Sequence, residues 1–252
     1  MVKTAAGPQG FFREVRWRLF FALSRTPHGV MDMTTPCFAA GLWLGGLPPL
    51  PVLLLGLITV FAGYTAVYAL NDVVDYRVDR EKLRQETYEA RSGAQDLDAA
   101  LVRHPMAQGL LGFREGLAWA AAWGVVALAG AYILNPVCAW IFIAGCLLEA
   151  VYCLLLKVSP LRALINGIVK TLGSIAAVFA VDPNPSPVFL ATLFFTLFFW
   201  ELGGQNIPND SSDLDEDLRL GAKTIPVRLG LDLSAFADRK STRLNSSHVS
   251  QS

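Results

Sequence analysis

The sequence predicts an all-α fold, a polytopic membrane helical bundle, and three observations predict it. Of 252 residues, 53% are apolar and 17% charged, against roughly 25% charged in an ordinary soluble domain. Mean hydropathy is +0.42, more apolar character than a soluble fold of this size needs. Apolar stretches of the length needed to cross a bilayer, about 20 residues at 1.5 Å per residue, recur along the chain. Six are expected, over 29–47, 50–70, 117–134, 137–156, 162–181 and 187–207.

Taken in order, residues 1–28 are polar, aromatic and basic, without the short apolar run and small-residue cleavage site of a signal peptide. They are expected to form a cytoplasmic N-terminal segment before a membrane domain at 29–237. Several spans contain Gly or Pro, which membrane helices tolerate where neighbours shield the backbone. Basic residues fix the sidedness. Lys3, Arg13, Arg16, Arg18 and Arg25 precede the first span, Arg77 to Arg114 lie between the second and third, and Lys157 and Arg162 between the fourth and fifth. The alternate turns, Leu47–Pro51, Asn135-Pro136 and Asp182–Pro187, carry no Lys or Arg. By the positive-inside rule the N-terminus and the long connections face the cytoplasm, as expected of a multi-pass protein of the cell (inner) membrane.

Lys plus Arg and Asp plus Glu are both 21, so net charge is zero and there is no basic excess for nucleic acid. Cys37, Cys138, Cys146 and Cys153 lack the short paired spacings of a zinc site or disulfide framework and read as buried small hydrophobes.

Two polar segments share a pattern. Asn71-Asp72-Val73-Val74-Asp75-Tyr76-Arg77-Val78-Asp79 follows the second span, and Asn209-Asp210-Ser211-Ser212-Asp213-Leu214-Asp215-Glu216-Asp217 follows the sixth. Both read N-D-x-x-D-x-x-x-D. On a helix turning 100° per residue, Asp72, Asp75 and Asp79 share one narrow sector, with Asn71 at its edge. Like charges so placed repel unless cations bind between them, and hard oxygen ligands suit Mg²⁺, which completes its shell with water and phosphate oxygens. Two such faces meeting would hold metal ions over a diphosphate.

With these motifs, residues 25–230 resemble the UbiA superfamily of intramembrane prenyltransferases. Arg103–Gly109 looks like that family's N-R-P-L-x-x-G loop, with His104 where the family has arginine. Tyr152 to Lys157 looks like its Tyr…Lys turn, and Gly221–Gly230 like the segment after its second motif. The connection from Arg80 to Val102 is longer than usual for the family. The resemblance implies nine spans around a central cavity, of which six are present. Residues 238–252 resemble a translated sequencing adapter, so they are expected to be non-native and about three C-terminal helices to be missing.

The resemblance further implies transfer of an isoprenyl group from an isoprenyl diphosphate to an acceptor, commonly aromatic, a quinone or lipid precursor. Asp72, Asp75 and Asp79 would hold one Mg²⁺ and Asp210, Asp213 and Asp217 the other, with Asp75 and Asp213 as the catalytic carboxylates. Asn71 and Asn209 would contribute amide groups to metal or phosphate. Lys157 would pair with the diphosphate as the catalytic cation, as would Lys223 or Arg228 in substrate binding, although each also fits an ordinary positive-inside anchor. Gln205 and Asn206, one turn before the second motif, are placed to reach substrate, and Pro208 is expected to break the helix there. Glu149, Lys170 and Glu201 fall inside spans, where ionisable residues default to a functional reading; they either orient the acceptor, pair with each other or sit near an interface. His28 and His104 read as structural. The alternatives are a membrane terpene cyclase sharing the ionisation step and, from another class, a divalent-cation transporter, against which stands the position of both acidic clusters at span ends rather than the midplane.

Overall fold

The computed structural model describes residues 8–84 and 101–230. The tail at 238–252 and much of the Arg80–Val102 connection lie outside the described residues. Helices run as α1 Pro8–Leu23, α2 Thr26–Asp32, α3 Thr34–Leu44, α4 Leu50–Arg84, α5 Phe113–Leu134, α6 Pro136–Leu154, α7 Arg162–Val181, α8 Pro187–Phe199, α9 Ile207–Ser212 and α10 Leu214–Leu220. A π-helical turn, Trp200–Asn206, joins α8 to α9.

Five helical stretches among the described residues are long and apolar enough to cross a membrane: Leu50–Glu81, Phe113–Leu134, Pro136–Leu154, Arg162–Val181 and Pro187–Ser212. The first expected span, 29–47, is instead a bent pair, α2 and α3, joined at Met33. Pro36 in the first turn of α3 has no N–H to give the Asp32 carbonyl, so the intrahelical ladder lapses where the helix bends. α4 is longer than expected, and at 1.5 Å per residue Asp72 lies about 33 Å along it from Leu50, past a ~30 Å hydrocarbon core. The acidic face therefore belongs to the same rigid rod as the span.

Proline and its neighbour start two spans at the turns that lack basic residues. Asn135 accepts a hydrogen bond from the Val137 N–H (2.9 Å) ahead of Pro136, and Ser186 accepts one from the Phe189 N–H (3.5 Å) ahead of Pro187.

α4 packs along α5, α6 touches α4, α5 and α7, and α3 closes against α7 while α2 lies on α4. The buried contacts are made by small residues such as Ala62, Ala66, Ala69, Ala127 and Ala131, whereas Phe38, Trp140 and Val188 are exposed. Small inside and large outside suits a bundle in lipid, where dispersion between closely approaching backbones drives association. Of the four cysteines, Cys138 and Cys153 are buried and Cys146 half-buried, but Cys37 is exposed, because the bend at Pro36 leaves it beside an internal opening.

The tightest approach is Gly130 of α5 on α4, where an added Cβ would lie 2.1 Å from Thr59 Oγ1 and 3.1 Å from Thr59 Cβ. Thr59 is stiff at χ1 and its hydroxyl is tied to the Leu55 carbonyl at 2.7 Å. Gly130→Ala is therefore expected to cost about 1–3 kcal/mol by overpacking, read as a lower Tm in detergent, and adding Thr59→Ala should recover most of the loss. An unchanged Tm in the single variant contradicts this packing.

Candidate active site

The face of α4 that carries the first motif is buried. Asp72 is 3% and Asp79 4% exposed, and Asp75 is half-buried. Two buried carboxylates one above the other need cations, and two are supplied from outside the helix. His104 Nδ1 lies 3.3 Å from Asp72 Oδ1 and 2.9 Å from Asp79 Oδ2, and Arg25 reaches Asp72 Oδ1 at 3.6 Å. Burial alone pushes the His104 pKa down, but hydrogen bonds and charge attraction from Asp72 and Asp79 outweigh it and hold the pKa above the ordinary histidine value.

Among the described residues, Arg25 (φ 43°) and His104 (φ 48°) are also the two non-glycine residues with positive φ. The surroundings hold both. Buried Ser24 accepts a hydrogen bond from Trp119 Nε1 at 2.8 Å, which pins the turn before Arg25. Beside His104, Pro105 and Met106 are fully buried, with Met106 in a core cluster with Leu19, Leu23 and Val73. His104, read from sequence as structural, thus bridges the first motif. Its position beside the family-like proline was the signal; its partners were invisible because the loop and α4 meet only in three dimensions.

The second motif is built differently despite its identical spacing. Asp210 is in α9, Asp213 is the junction between α9 and α10 (φ −99°, ψ 10°), and Asp217 is buried in α10. Asp217 accepts from Thr224 Oγ1 at 2.9 Å. Gly221, at φ 67°, ends α10 and turns the chain so that the Lys223 N–H reaches the Leu156 carbonyl at 2.8 Å. Pro208 does not break the helix as expected. It sits in the first turn of α9, where a missing N–H is tolerated, and the widened π turn before it absorbs the change of register. α10 touches α4, so the two acidic segments are neighbours.

Several candidates are engaged within the protein. Asn71 donates to Glu149 Oε1 (2.7 Å) and Cys153 Sγ (3.3 Å), which accounts for the ionisable Glu149 within α6. Lys157 donates to Glu81 Oε2 at 2.7 Å, two residues past Asp79, with both side chains partly exposed. Asn206 is buried and its Oδ1 accepts from Asn166, while Gln205 and Asn209 are exposed. Lys223 is half-buried and Arg228 exposed at the far end of the described chain. Arg162, read from sequence only as an anchor, interacts electrostatically with both motifs. It is buried at the start of α7, stacks on the Tyr152 ring at 4.2 Å, and its charge interacts with Asp75 and Asp210. Its Nε has no hydrogen-bond partner among the described residues.

Above this polar layer lies a cavity of ≈ 260 Å³ between α3, α4, α5, α6 and α7, walled mostly by apolar side chains such as Leu57, Val60, Phe142 and Ala176. Its polar lining includes Tyr64, Tyr68, Glu149 and Lys170. Tyr64, Tyr68, Asp72, Asp75 and Asp79 fall on one face of α4, so the cavity wall runs directly into the carboxylates.

The donor set fits a divalent cation. One carboxylate oxygen each from Asp72 and Asp79 lies within 4.8 Å of the other, beside His104, and these two carboxylates are hard oxygen donors of the kind Mg²⁺ takes.

Apolar spans around an internal cavity, with carboxylates and a buried guanidinium at one end, define an integral membrane protein equipped for an apolar molecule with an anionic head. The chain belongs to the UbiA prenyltransferase family, whose profile matches residues 33–237. It is 26% identical over 215 residues to the 4-hydroxybenzoate octaprenyltransferase of Shewanella denitrificans, covering 84% of this chain and 67% of the relative. To the digeranylgeranylglyceryl phosphate synthase of Thermococcus sibiricus it is 28% identical over 195 residues, covering 76% and 61%. The chain thus spans about two thirds of the length of these curated relatives. Its fold matches the UbiA homologue from Archaeoglobus fulgidus solved bound to DMAPP and Mg²⁺, with a TM-score of 0.72 at 19% identity, covering 90% of this chain and 75% of that one.

Removing the His104 cation leaves Asp72 and Asp79 buried with less compensation, a change that costs about 3–5 kcal/mol where a buried pair is broken. His104→Leu is expected to lower Tm, and millimolar Mg²⁺ to raise the variant's Tm by more than it raises the wild type's. Equal Mg²⁺ shifts in the two proteins count against a cation site at these carboxylates.

Proposed function

We propose that this protein transfers an isoprenyl group from an allylic diphosphate to an aromatic acceptor, with Mg²⁺, from a site at the cytoplasmic end of the bundle. The observation that carries the reading is Arg162, a buried cation electrostatically coupled to carboxylates of both acidic motifs at the foot of an apolar cavity. A guanidinium left with an unpartnered Nε beside two acidic segments suits a phosphate oxygen.

In the reaction the allylic C–O bond breaks, the electron pair leaves with the diphosphate, and the acceptor supplies the pair for the new bond and loses a proton. Asp72, Asp75 and Asp79 would hold one Mg²⁺, and Asp210, Asp213 and Asp217 the other. Bound Mg²⁺ supplies neutralisation of the charge that grows on the leaving group. Arg162 pairs with the same charge, in the role that the Tyr…Lys resemblance assigned to Lys157. The apolar cavity takes apolar parts of the substrates and keeps water from the allylic cation. The printed names of the relatives, one for a hydroxybenzoate enzyme and one for a glyceryl lipid enzyme, support an acceptor that is aromatic or lipid in class. The basic residues around both motifs support cytoplasmic placement of the N-terminus and the site, and residues 29–237 constitute the membrane domain.

The test is a membrane-fraction assay with radiolabelled prenyl diphosphates and a panel of phenolic acids, with and without Mg²⁺. Asp75→Ala and Asp213→Ala are each expected to abolish product. Arg162→Gln should lower kcat/KM by about 10²-fold or more, as loss of a buried cation on a leaving group does, whereas Lys157→Gln, which breaks a partly exposed pair, should cost under about tenfold. Turnover that survives both aspartate substitutions sinks the metal-site reading. Diphosphate release that yields a cyclised hydrocarbon and no prenylated acceptor redirects it to a cyclase.

A further inference from the structure

One polar cluster lies outside the acidic site. Lys170 stands eight residues into α7, about 12 Å from its start. Its ammonium donates to Asp32 Oδ2 at 2.7 Å and to the Tyr68 hydroxyl at 2.6 Å, and Tyr68 in turn donates to Asp32 Oδ2. Asp32 comes from α2 at the bend, Tyr68 from α4 and Lys170 from α7, so three helices meet in one hydrogen-bonded group. His28 Nε2 is 3.8 Å from the other Asp32 oxygen.

An ion pair at this depth is costly unless it serves the site, and packing alone is served as well by apolar residues of the same volume. The cluster lines the cavity rather than hiding behind its wall, since both Tyr68 and Lys170 are exposed to it. Beside them the Tyr64 ring stacks on Tyr68 at 6.3 Å, and its hydroxyl lies over Gly173 of α7. Among the described residues that hydroxyl has no hydrogen-bond partner. Lys170 has three donors and uses two. The cavity wall thus offers one ammonium N–H and one phenolic hydroxyl.

We propose that Tyr64 and Lys170, held by Asp32 and Tyr68, form the subsite for the polar head of the acceptor, and that the head is a neutral hydroxyl on an aromatic ring. The assignment builds on the prenyl-transfer reading. Charge selects the neutral head, because Asp32 and Lys170 already balance and a further buried anion would have no counterion in the cluster. Size selects the ring, since ≈ 260 Å³ exceeds the ~150 Å³ known to accept benzene and the walls are apolar. Position selects the role, because Tyr68 is one helical turn before Asp72, so a hydroxyl held here keeps its ring next to the carboxylate end of the cavity.

The test is equilibrium binding to the full 252-residue chain in detergent, with methyl 4-hydroxybenzoate and methyl 4-methoxybenzoate as neutral probes, and geranyl thiolodiphosphate with Mg²⁺ as a separate probe of the acidic site. Wild type should bind the hydroxy ester roughly five- to tenfold more tightly than the methoxy ester, the worth of one net hydrogen bond. Tyr64→Phe removes one unpartnered oxygen and leaves the fold intact. It should erase that preference without changing thiolodiphosphate affinity. The double variant Asp32→Asn/Lys170→Gln, which keeps the cluster neutral, should weaken hydroxy-ester binding as well. A wild type that binds both esters equally or neither, or a Tyr64→Phe protein that keeps the preference, overturns the subsite. Loss of thiolodiphosphate binding in the wild type, with the ester preference intact, instead overturns the prenyl-transfer reading and leaves the subsite standing.

Discussion

The structure depends on keeping negative charge out of water at the end of α4. Asp72 and Asp79 are as buried as the alanines around them, and a carboxylate so placed persists only beside cations or hydrogen-bond donors. Arg25 and His104 are brought to them on left-handed backbone, a conformation that costs about 1–3 kcal/mol for a residue with a side chain. The neighbouring structure enforces that cost: Trp119 grips Ser24 before Arg25, and Pro105 and Met106 are sunk into the core after His104. Strain collected at the two residues that neutralise one aspartate marks the acidic face as the feature that the N-terminal turn and the loop before α5 are folded to support.

The two acidic segments share a spacing and differ in mechanics. The first rides on an unbroken helix, so its carboxylates keep fixed separations set by helical geometry. The second crosses a junction at Asp213 and is preceded by a π turn with two glycines, Gly203 and Gly204. Its position is set by tertiary ties instead, chiefly Thr224 to Asp217 and the Lys223 backbone to Leu156. A rigid face is thus opposed to a jointed one.

Much of this was legible in the sequence for identifiable reasons. Five of the six spans, the Pro-initiated turns and the first acidic face follow from local composition and the 3.6-residue period, and the structure has helices there. The bend at Met33 was not legible because an apolar stretch with one proline reads alike whether straight or broken. Arg162 reads from sequence as an ordinary anchor at a membrane boundary and His104 as a structural loop residue, and only burial beside the carboxylates separates these uses from the one the structure shows. The resemblance of the Tyr152–Lys157 turn implies a catalytic role for Lys157, whose ammonium is paired with Glu81. Lys170 was noticed as an ionisable residue within a span, but its partners, Asp32 and Tyr68, come from helices far away in sequence.

Along the single face of α4 from Tyr64 to Asp79, side chains pass from phenols to carboxylates in about four turns. The cations facing them change in step, from a lysine balanced by Asp32 to an arginine and a histidine set against two or three carboxylates. At the inner end the lysine is balanced by Asp32, and the outer end carries carboxylates in excess of fixed counterions. A molecule with an apolar body and a highly charged head has one favourable orientation along such a gradient, head outward with a divalent cation and body inward. A neutral hydroxylated ring has its favourable place at the inner end. In the proposed reaction, separation of the two by a helical turn would keep each partner out of the other's site while holding them in reach, which is what transfer between an anionic donor and a neutral acceptor requires.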